Sequence, residues 1–206
     1  MLGAVREPKL REVDRRAFLK RLGSLLEVYT AAMDPPAEQL SGRYTIMERH
    51  SAYPAFRAFV LERRRIPIPL RLPASVSGRA PVGNVAGFAY GFHGVSGQWW
   101  HDVVHQALID AGGKEHADGW LGDTFEVAEL HVHPLYQGQG LGRRLLSALC
   151  AGRTERTVVL STLDRRGSPA RRLYCSVGMT DLLRDFEFPG GGQTYAIMGG
   201  PLPLAR

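Results

Sequence analysis

The sequence contains few cysteines and lysines, and it has no long apolar run. Cys150 and Cys175 are the only cysteines among 206 residues, and a chain long enough for a well-buried core needs no disulfide framework. The longest nearly apolar stretch is VAGFAYGF at residues 85–92, far short of the roughly 20 residues that cross a bilayer. The opening residues MLGAVREPKLRE lack the apolar segment of a secretory signal. We therefore expect a cytoplasmic protein with free thiols and no membrane contact.

Only three lysines, Lys9, Lys20 and Lys114, accompany the arginines. With 26 basic and 20 acidic residues the formal net charge is +6, which suits an anionic ligand such as a nucleotide, a cofactor or a nucleic acid. No zinc-finger spacing, aromatic RNA-binding signature or basic zipper is present. A small anionic cofactor is therefore the stronger expectation, and nucleic-acid binding stays a third, weaker class.

The first third of the chain is predicted to be helical. Asp14 is a suitable cap for a helix that runs to about Ala32, because apolar residues recur there at three- and four-residue intervals. A second, short helix is predicted over residues 53–62. The proline-rich run IPIPLRLP at residues 66–73 excludes a central strand there.

The rest of the chain alternates strands and helices, which is the order of a mixed α/β domain. Strand patterns cover residues 82–92, 124–133, 157–163, 182–188 and 193–198, and helix patterns cover residues 101–111, 140–151 and 168–178. The last two strands form a predicted hairpin.

The most informative stretch is LHVHPLYQGQGLGRRLL, residues 130–146, where a strand stops and a helix begins after a glycine-rich turn. Backbone amides at a helix N-terminus bind anions, and glycines let a phosphate approach them closely. The turn lacks the lysine of a GxxxxGK[ST] loop and the third glycine of GxGxxG. What remains is Gln137-x-x-Gly140-x-Gly142, followed by Arg143 and Arg144.

In this pattern the sequence resembles the GNAT superfamily of acyl-CoA-dependent N-acyltransferases. The resemblance covers about residues 82–198 and is strongest in the glycine turn and in SPARRLYCSVGM, residues 168–179. It implies an α/β fold with a central mixed, mostly antiparallel sheet, split at a β-bulge and flanked by helices. It also implies a single domain over residues 1–206, with a helical acceptor-side part at 1–80 and an acetyl-CoA-binding core at 81–198.

The resemblance implies that acetyl-CoA is the co-substrate. Its pantetheine arm would pair with the backbone of Leu130, His131 and Val132. The family often has an asparagine seven residues before its general-acid tyrosine, and this chain has Gly167 at that position. We expect Ser168 to replace part of the polar contact that the asparagine makes with the cofactor. The pyrophosphate would lie on the turn that begins at Gln137, against the amides of Gly138, Gln139, Gly140, Leu141, Gly142 and Arg143.

Three side chains are candidates for the chemistry. Tyr174 matches the general-acid tyrosine of the family, with core packing as its alternative role. Glu126 and Glu129 are candidate bases, Glu126 ahead because several family members have a glutamate four residues before the position of Leu130. Either carboxylate could instead be a solvated or ion-paired strand residue. Strict alternation separates the two glutamates on opposite strand faces, and a bulge between them would change that parity.

Two histidine pairs raise the question of a metal. His101 and His105 stand four apart in HDVVH, and His131 and His133 alternate on a strand. Each pair lacks a third ligand, and the family mechanism needs no metal, so we expect none. A minor alternative makes His131 or His101 a substrate-facing base.

The sequence therefore predicts an N-acetyltransferase that moves the acetyl group of acetyl-CoA to a primary amine by direct attack in a ternary complex. The acceptor is a protein lysine or a small-molecule amine, and a homodimer is compatible with the family. The tryptophan-rich segment at residues 98–122 either packs in the core or walls an acceptor pocket. The alternative function is a non-catalytic CoA-binding sensor or interaction module on the same fold.

Overall fold

The structure, a computed structural model, describes residues 7–63, 83–165 and 167–205. The strands and helices of these residues have the following bounds. The strands are β1 Lys9–Val13, β2 Arg57–Glu62, β3 Val85–His93, β4 Thr124–Val132, β5 Thr157–Leu163, β6 Thr180–Glu187 and β7 Thr194–Pro201. The helices are α1 Arg15–Leu19, α2 Leu22–Met33, α3 Leu40–His50, α4 Trp99–Gly112, α5 Lys114–Leu121, α6 Leu141–Cys150 and α7 Pro169–Cys175.

The strands form one seven-stranded sheet in the order β1-β2-β3-β4-β5-β7-β6. Strand β4 runs parallel to β5, whereas β2 is antiparallel to β1 and β7 is antiparallel to both β5 and β6. The predicted fold class, a mixed and mostly antiparallel sheet flanked by helices, is confirmed. No helix in the described part of the chain is both long and apolar enough to span a bilayer.

The described residues group into two compact units. The first comprises the residues up to Ala52, those within Phe56–Tyr90, and Glu129–Leu149. The second comprises Tyr53–Ala55, Gly91–Ala128 and the residues from Cys150 onward. Strands β3 and β4 each contribute residues to both units.

The amino-terminal helix differs from the prediction in one respect. Asp14 does act as an N-cap, since the backbone amide of Ala17 donates to its Oδ1 at 2.7 Å. The helix stops after Leu19, and a second helix, α2, starts at Leu22. The break leaves the buried side chains Phe18, Leu22 and Leu25 free to pack in the first unit.

The helix predicted over residues 53–62 is wrong, because this segment contains strand β2. Residues 58–61 are buried on both faces, and the strand pairs with β1 so that Leu10 lies opposite Leu61. A short, continuous apolar run has no period that separates a buried strand from a helix. The proline-rich run at residues 66–73 lies outside the described residues.

Helices α4 and α5 pack on strands of the second unit. Val104, Leu108 and Leu121 form a buried cluster with Val159 of β5 and Ile197 of β7. Trp100 and Trp120 pack against this cluster, and the indole Nε1 of Trp100 donates to Ser161 Oγ at 3.1 Å. Trp99 is exposed. Core packing therefore accounts for two of the three tryptophans, and the third is on the surface.

Candidate active site

Strands β4 and β5 are paired over only part of their length. The parallel register joins Thr124, Phe125 and Glu126 of β4 to residues 157–159 of β5, although β4 continues to Val132. In the described residues, β4 therefore has no β5 partner beyond Glu126. An unpaired strand edge presents backbone N–H and C=O groups that an extended ligand can bind.

Strand β4 also contains one residue more than its antiparallel neighbour β3. Gly94 N donates to Thr124 O at 3.0 Å near one end, and His133 N donates to Ala86 O at 2.9 Å near the other. Between these bonds β3 advances 94 − 86 = 8 residues, and β4 advances 133 − 124 = 9 residues. The extra residue is a β-bulge, which reverses the alternation of side chains along β4. These bonds place the extra residue between Thr124 and His133.

Glu126 is a buried carboxyl group with an unsatisfied oxygen. Glu126 is 3% exposed, and its Oε1 has no hydrogen-bond partner among the described residues. Burial, together with the charge of Asp102, raises the pKa of Glu126 to about 8. A carboxylate with a pKa near the working pH is a suitable proton acceptor for an amine.

Glu129 is also buried, but its carboxylate is fully engaged. Arg43 Nη1 donates to its Oε1 at 2.8 Å, and His131 Nε2 donates to its Oε2. Burial acts to raise the pKa of Glu129, but the hydrogen bond and charge of His131, with the charges of Arg43 and His50, outweigh it and lower the pKa. A carboxylate held ionised by two donors has little affinity for a further proton.

The contacts of Glu129 belong to a larger polar cluster within the first unit. The guanidinium of Arg43, on α3, lies 4.8 Å from the ring centroid of Tyr29 on α2. The ring of Tyr29 meets that of His131 edge-on at 5.2 Å. These contacts join α2, α3 and β4 around one ion pair. Sequence reasoning missed Arg43, because nothing in its helix distinguishes it from a surface arginine.

The cluster continues behind Glu129 to His50 and Tyr90. The Nδ1 of His50 lies 3.2 Å from the hydroxyl of Tyr90. Burial lowers the pKa of His50 to about 4, and the charges of Arg43 and Arg49 act in the same direction, opposed by Glu129. His50 is therefore neutral near pH 7.

The glycine turn lies between β4 and α6, in the first unit. Gly138 and Gly140 have φ angles of +76° and +74°, which non-glycine residues adopt only with strain. Chain neighbours aside, no atom of the described residues lies within 4 Å of the Cβ position at either glycine, which leaves space there for a ligand. The side chain of Gln137 turns back, and its Nε2 donates to Val132 O at 2.9 Å.

Helix α6 begins directly after the turn. Its first hydrogen bond between backbone groups four residues apart runs from Arg144 N to Gly140 O, at 3.1 Å. The amides of Leu141 and Gly142 precede that bond, in the first turn of the helix, where backbone amides have no carbonyl of the helix to donate to. A helix N-terminus beside two left-handed glycines fits a pyrophosphate group.

Ser168 and Tyr174 belong to the second unit, on helix α7. Ser168 is the N-cap of that helix, its hydroxyl accepting from Arg171 N at 3.5 Å. Tyr174 is 6% exposed and lies near the end of α7. The two residues therefore have local structural roles besides those expected from the resemblance.

The histidines of both pairs have protein partners. His101 is buried, and its Nε2 donates to Leu121 O at 3.2 Å. His105 Nε2 lies 2.8 Å from Asp118 Oδ1. The backbone amide of Leu135 donates to His133 Nδ1 at 3.3 Å. Among the described residues, no group of three histidine, cysteine or acidic side chains is arranged to hold a metal ion.

Comparisons with known proteins place this architecture in a family. Residues 83–178 match the model of the acetyltransferase (GNAT) domain. The chain is 36% identical over 195 residues to the GCN5-like protein acetyltransferase Rv2170 of Mycobacterium tuberculosis, covering 90% of this chain and 93% of that protein. The chain belongs to the GNAT acetyltransferase family.

Solved structures share the fold at lower sequence identity. The protein yncA from Salmonella typhimurium, solved with its cofactor acetyl-CoA, superposes with a TM-score of 0.54 at 20% identity and covers 95% of this chain and 94% of its own. The ribosomal-protein-S18-alanine N-acetyltransferase from Escherichia coli gives a TM-score of 0.54 at 18% identity and covers 96% of each chain. The co-substrate of the family is therefore acetyl-CoA, the anionic ligand expected from the sequence.

Proposed function

We propose that this protein is an N-acetyltransferase that moves the acetyl group of acetyl-CoA to the side-chain amine of a protein lysine. The observation that carries the proposal is the glycine turn before α6, whose open left-handed glycines and helix N-terminus fit the pyrophosphate. The relative in Mycobacterium tuberculosis is named a protein acetyltransferase, which favours a protein acceptor over a small amine.

The binding roles follow from the backbone. Leu130, His131 and Val132 lie on the part of β4 without a β5 partner, where an extended pantetheine arm would add like a strand. The amides from Gly138 to Arg143 would hold the pyrophosphate, with Ser168 as a further polar contact. Since backbone groups do this binding, the absence of side-chain bulk in the turn matters more than side-chain identity.

In the reaction, acetyl-CoA supplies the activated thioester. Glu126 would take a proton from the acceptor ammonium, and the neutral amine would attack the thioester carbonyl. A carbon–nitrogen bond would form as the carbon–sulfur bond breaks, and Tyr174 would donate a proton to the departing thiolate. The new amide nitrogen would release its remaining extra proton to solvent, and the phenolate of Tyr174 would take a proton back from solvent. The unsatisfied oxygen and raised pKa of Glu126 support this role. Glu129, ion-paired to Arg43, is better suited to position His131 and α3 than to accept a proton.

The proposal is tested by titrating acetyl-CoA calorimetrically and by measuring free-thiol release with lysine-containing peptides. We expect binding well below millimolar concentration and release that depends on the amine. Substitution Tyr174→Phe should lower kcat about 100-fold or more with a small change in acetyl-CoA affinity, because the ring stays and only the proton donor is lost.

Three results would contradict parts of this proposal. An absence of binding at millimolar acetyl-CoA would exclude the enzyme altogether. Binding without amine-dependent thiol release would favour the CoA-binding sensor. Full activity of the Tyr174→Phe variant would remove Tyr174 from the acid role.

A further inference from the structure

A pocket of about 370 Å³ lies beside α4 and α5, within the second unit. Both helices belong to the segment that joins β3 to β4. We call this cavity the α4–α5 pocket. Its lining includes Gly94, His101, Asp102, His105, Asp118 and Leu121.

A buried atom of the lining has no partner. His101 is 7% exposed, and its Nδ1 has no hydrogen-bond partner among the described residues. Its Nε2 faces the carbonyl oxygen of Leu121, which can only accept, so Nε2 carries a proton. In the tautomer with its single proton on Nε2, Nδ1 is an acceptor, and Asp102 Oδ1 lies 3.6 Å from it. A buried acceptor without a partner destabilises the folded state, and a ligand N–H would remove that penalty.

Glu126 adds a second unsatisfied acceptor next to the pocket. A Cβ atom placed on Gly94 would lie 2.5 Å from Glu126 Oε1, so this carboxyl oxygen lies directly against a residue of the lining. That oxygen is buried and has no hydrogen-bond partner in the described part of the chain. A ligand that donates hydrogen bonds would therefore satisfy both His101 Nδ1 and Glu126 Oε1.

The charge of the lining favours a cation. Asp102 and Asp118 contribute carboxylates, and none of the residues described as lining the pocket is a lysine or an arginine. Asp118 is neutralised by Lys114, with His105 as a further partner. Asp102 accepts from the amide of Gly97 at 3.0 and 3.1 Å. Its Oδ1 also lies 3.6 Å from His101 Nδ1, and its side chain is 49% exposed. Asp102 thus remains available to an ammonium group.

We propose that the α4–α5 pocket receives the alkylammonium side chain of the acceptor lysine, with Asp102 as its counter-ion and His101 Nδ1 and Glu126 Oε1 as acceptors of its N–H groups. This inference rests on the proposed function and assigns its acceptor specificity to the segment between β3 and β4. Asp102 and His101 are then specificity-determining residues, and the ammonium arrives beside the group that removes its proton.

The first experiment measures steady-state kinetics of Asp102→Asn with a lysine peptide. The amide keeps an oxygen for the Gly97 contact but loses the charge. We expect KM for the peptide to rise at least tenfold, with KM for acetyl-CoA changed less than twofold. The matched control is Asp110→Asn, on the same helix, where the carboxylate accepts from Gln106 outside the pocket. An unchanged peptide KM in Asp102→Asn would overturn the inference.

The second experiment needs no turnover. The side-chain nitrogen resonances of the wild-type histidines are followed by NMR while Nα-acetyl-lysine amide is added without acetyl-CoA. We expect the His101 Nδ1 resonance to shift and that of His50 to stay unchanged. A wild-type enzyme that acetylates the peptide while His101 does not respond would refute the pocket and leave the proposed function intact. A response to spermidine but not to the lysine amide would refute the lysine assignment.

Discussion

The pKa values of two glutamates three residues apart on β4 are shifted in opposite directions, and their surroundings explain the difference. Glu126 is buried beside Asp102, and no cation among the described residues pairs with it, so its neutral form is favoured and its pKa is about 8. Glu129 is buried between Arg43 and His131, so its ionised form is favoured. Desolvation acts on both carboxyl groups, and the presence or absence of nearby positive charge decides the outcome.

This contrast predicts how the rate depends on pH. In the wild type, kcat/KM for a lysine peptide should rise with pH to an inflection near 8, because Glu126 accepts a proton only when ionised. Substitution Glu126→Gln should lower kcat about 100-fold or more and abolish that inflection. Glu129→Gln is the control: it removes a charge from the same strand and should retain the inflection. An inflection near 8 that persists in Glu126→Gln would assign the base to another group.

At the scale of secondary-structure elements, the feature that shapes the site is the end of the pairing between β4 and β5 after Glu126. Its first three residues bind β5 in parallel, and a bulge then adds one residue relative to β3. A bulge reverses the alternation of side chains along its strand. The same strand leads directly into the glycine turn and α6, so one continuous segment supplies the free strand edge and the anion-binding amides.

The glycine turn can be tested with a matched pair of substitutions. Gly140 and Gly152 flank α6 and have φ angles of +74° and +69°. In the part of the chain that the structure describes, no atom apart from chain neighbours lies within 4 Å of the Cβ position at either glycine. Alanine at either site should cost about 1–2 kcal/mol in the free energy of unfolding. Only Gly140→Ala should weaken acetyl-CoA binding, by about tenfold, measured by calorimetry. Equal affinity of the two variants would mean that the turn does not hold the pyrophosphate.

At the scale of the whole molecule, the protonation of one buried group should be visible in the free energy of unfolding. The pKa of Glu126 is raised from its ordinary value of 4.5 to about 8 in the folded chain. A raised pKa means that the folded state binds the proton more tightly than the unfolded state does. The stability contributed by that proton is complete below pH 4.5 and is lost as the pH rises to about 8.

Urea unfolding of the wild type and of Glu126→Gln at pH 5 and pH 9 measures this effect. Glutamine cannot ionise, so we expect the variant to gain stability relative to the wild type by on the order of a few kcal/mol between the two pH values. The difference between the two proteins isolates Glu126 from other titrating groups, among them Glu129 and Glu155, whose pKa values are lowered. The same difference at both pH values would show that Glu126 is not buried in this way.

Features that depend on a few consecutive residues could be read directly from the amino-acid sequence. Strand β5 has the predicted bounds, Asp14 and Ser168 are N-caps as expected, and the glycine turn stands between the strand and the helix that its motif indicates. Caps, turns and regular periodicity act through neighbouring backbone groups, so their signals are local. The family and its cofactor followed from the same local pattern.

Features that depend on residues far apart in the chain are determined by the tertiary structure. The run at residues 57–62 is a strand because β1 pairs with it, and Glu129 is ionised because Arg43, 86 positions earlier, reaches it. The Oε1 of Glu126 lies against Gly94, more than 30 positions earlier, and no donor among the described residues reaches it. Burial and charge pairing arise from contacts between segments far apart in the chain, and local periodicity does not predict such contacts.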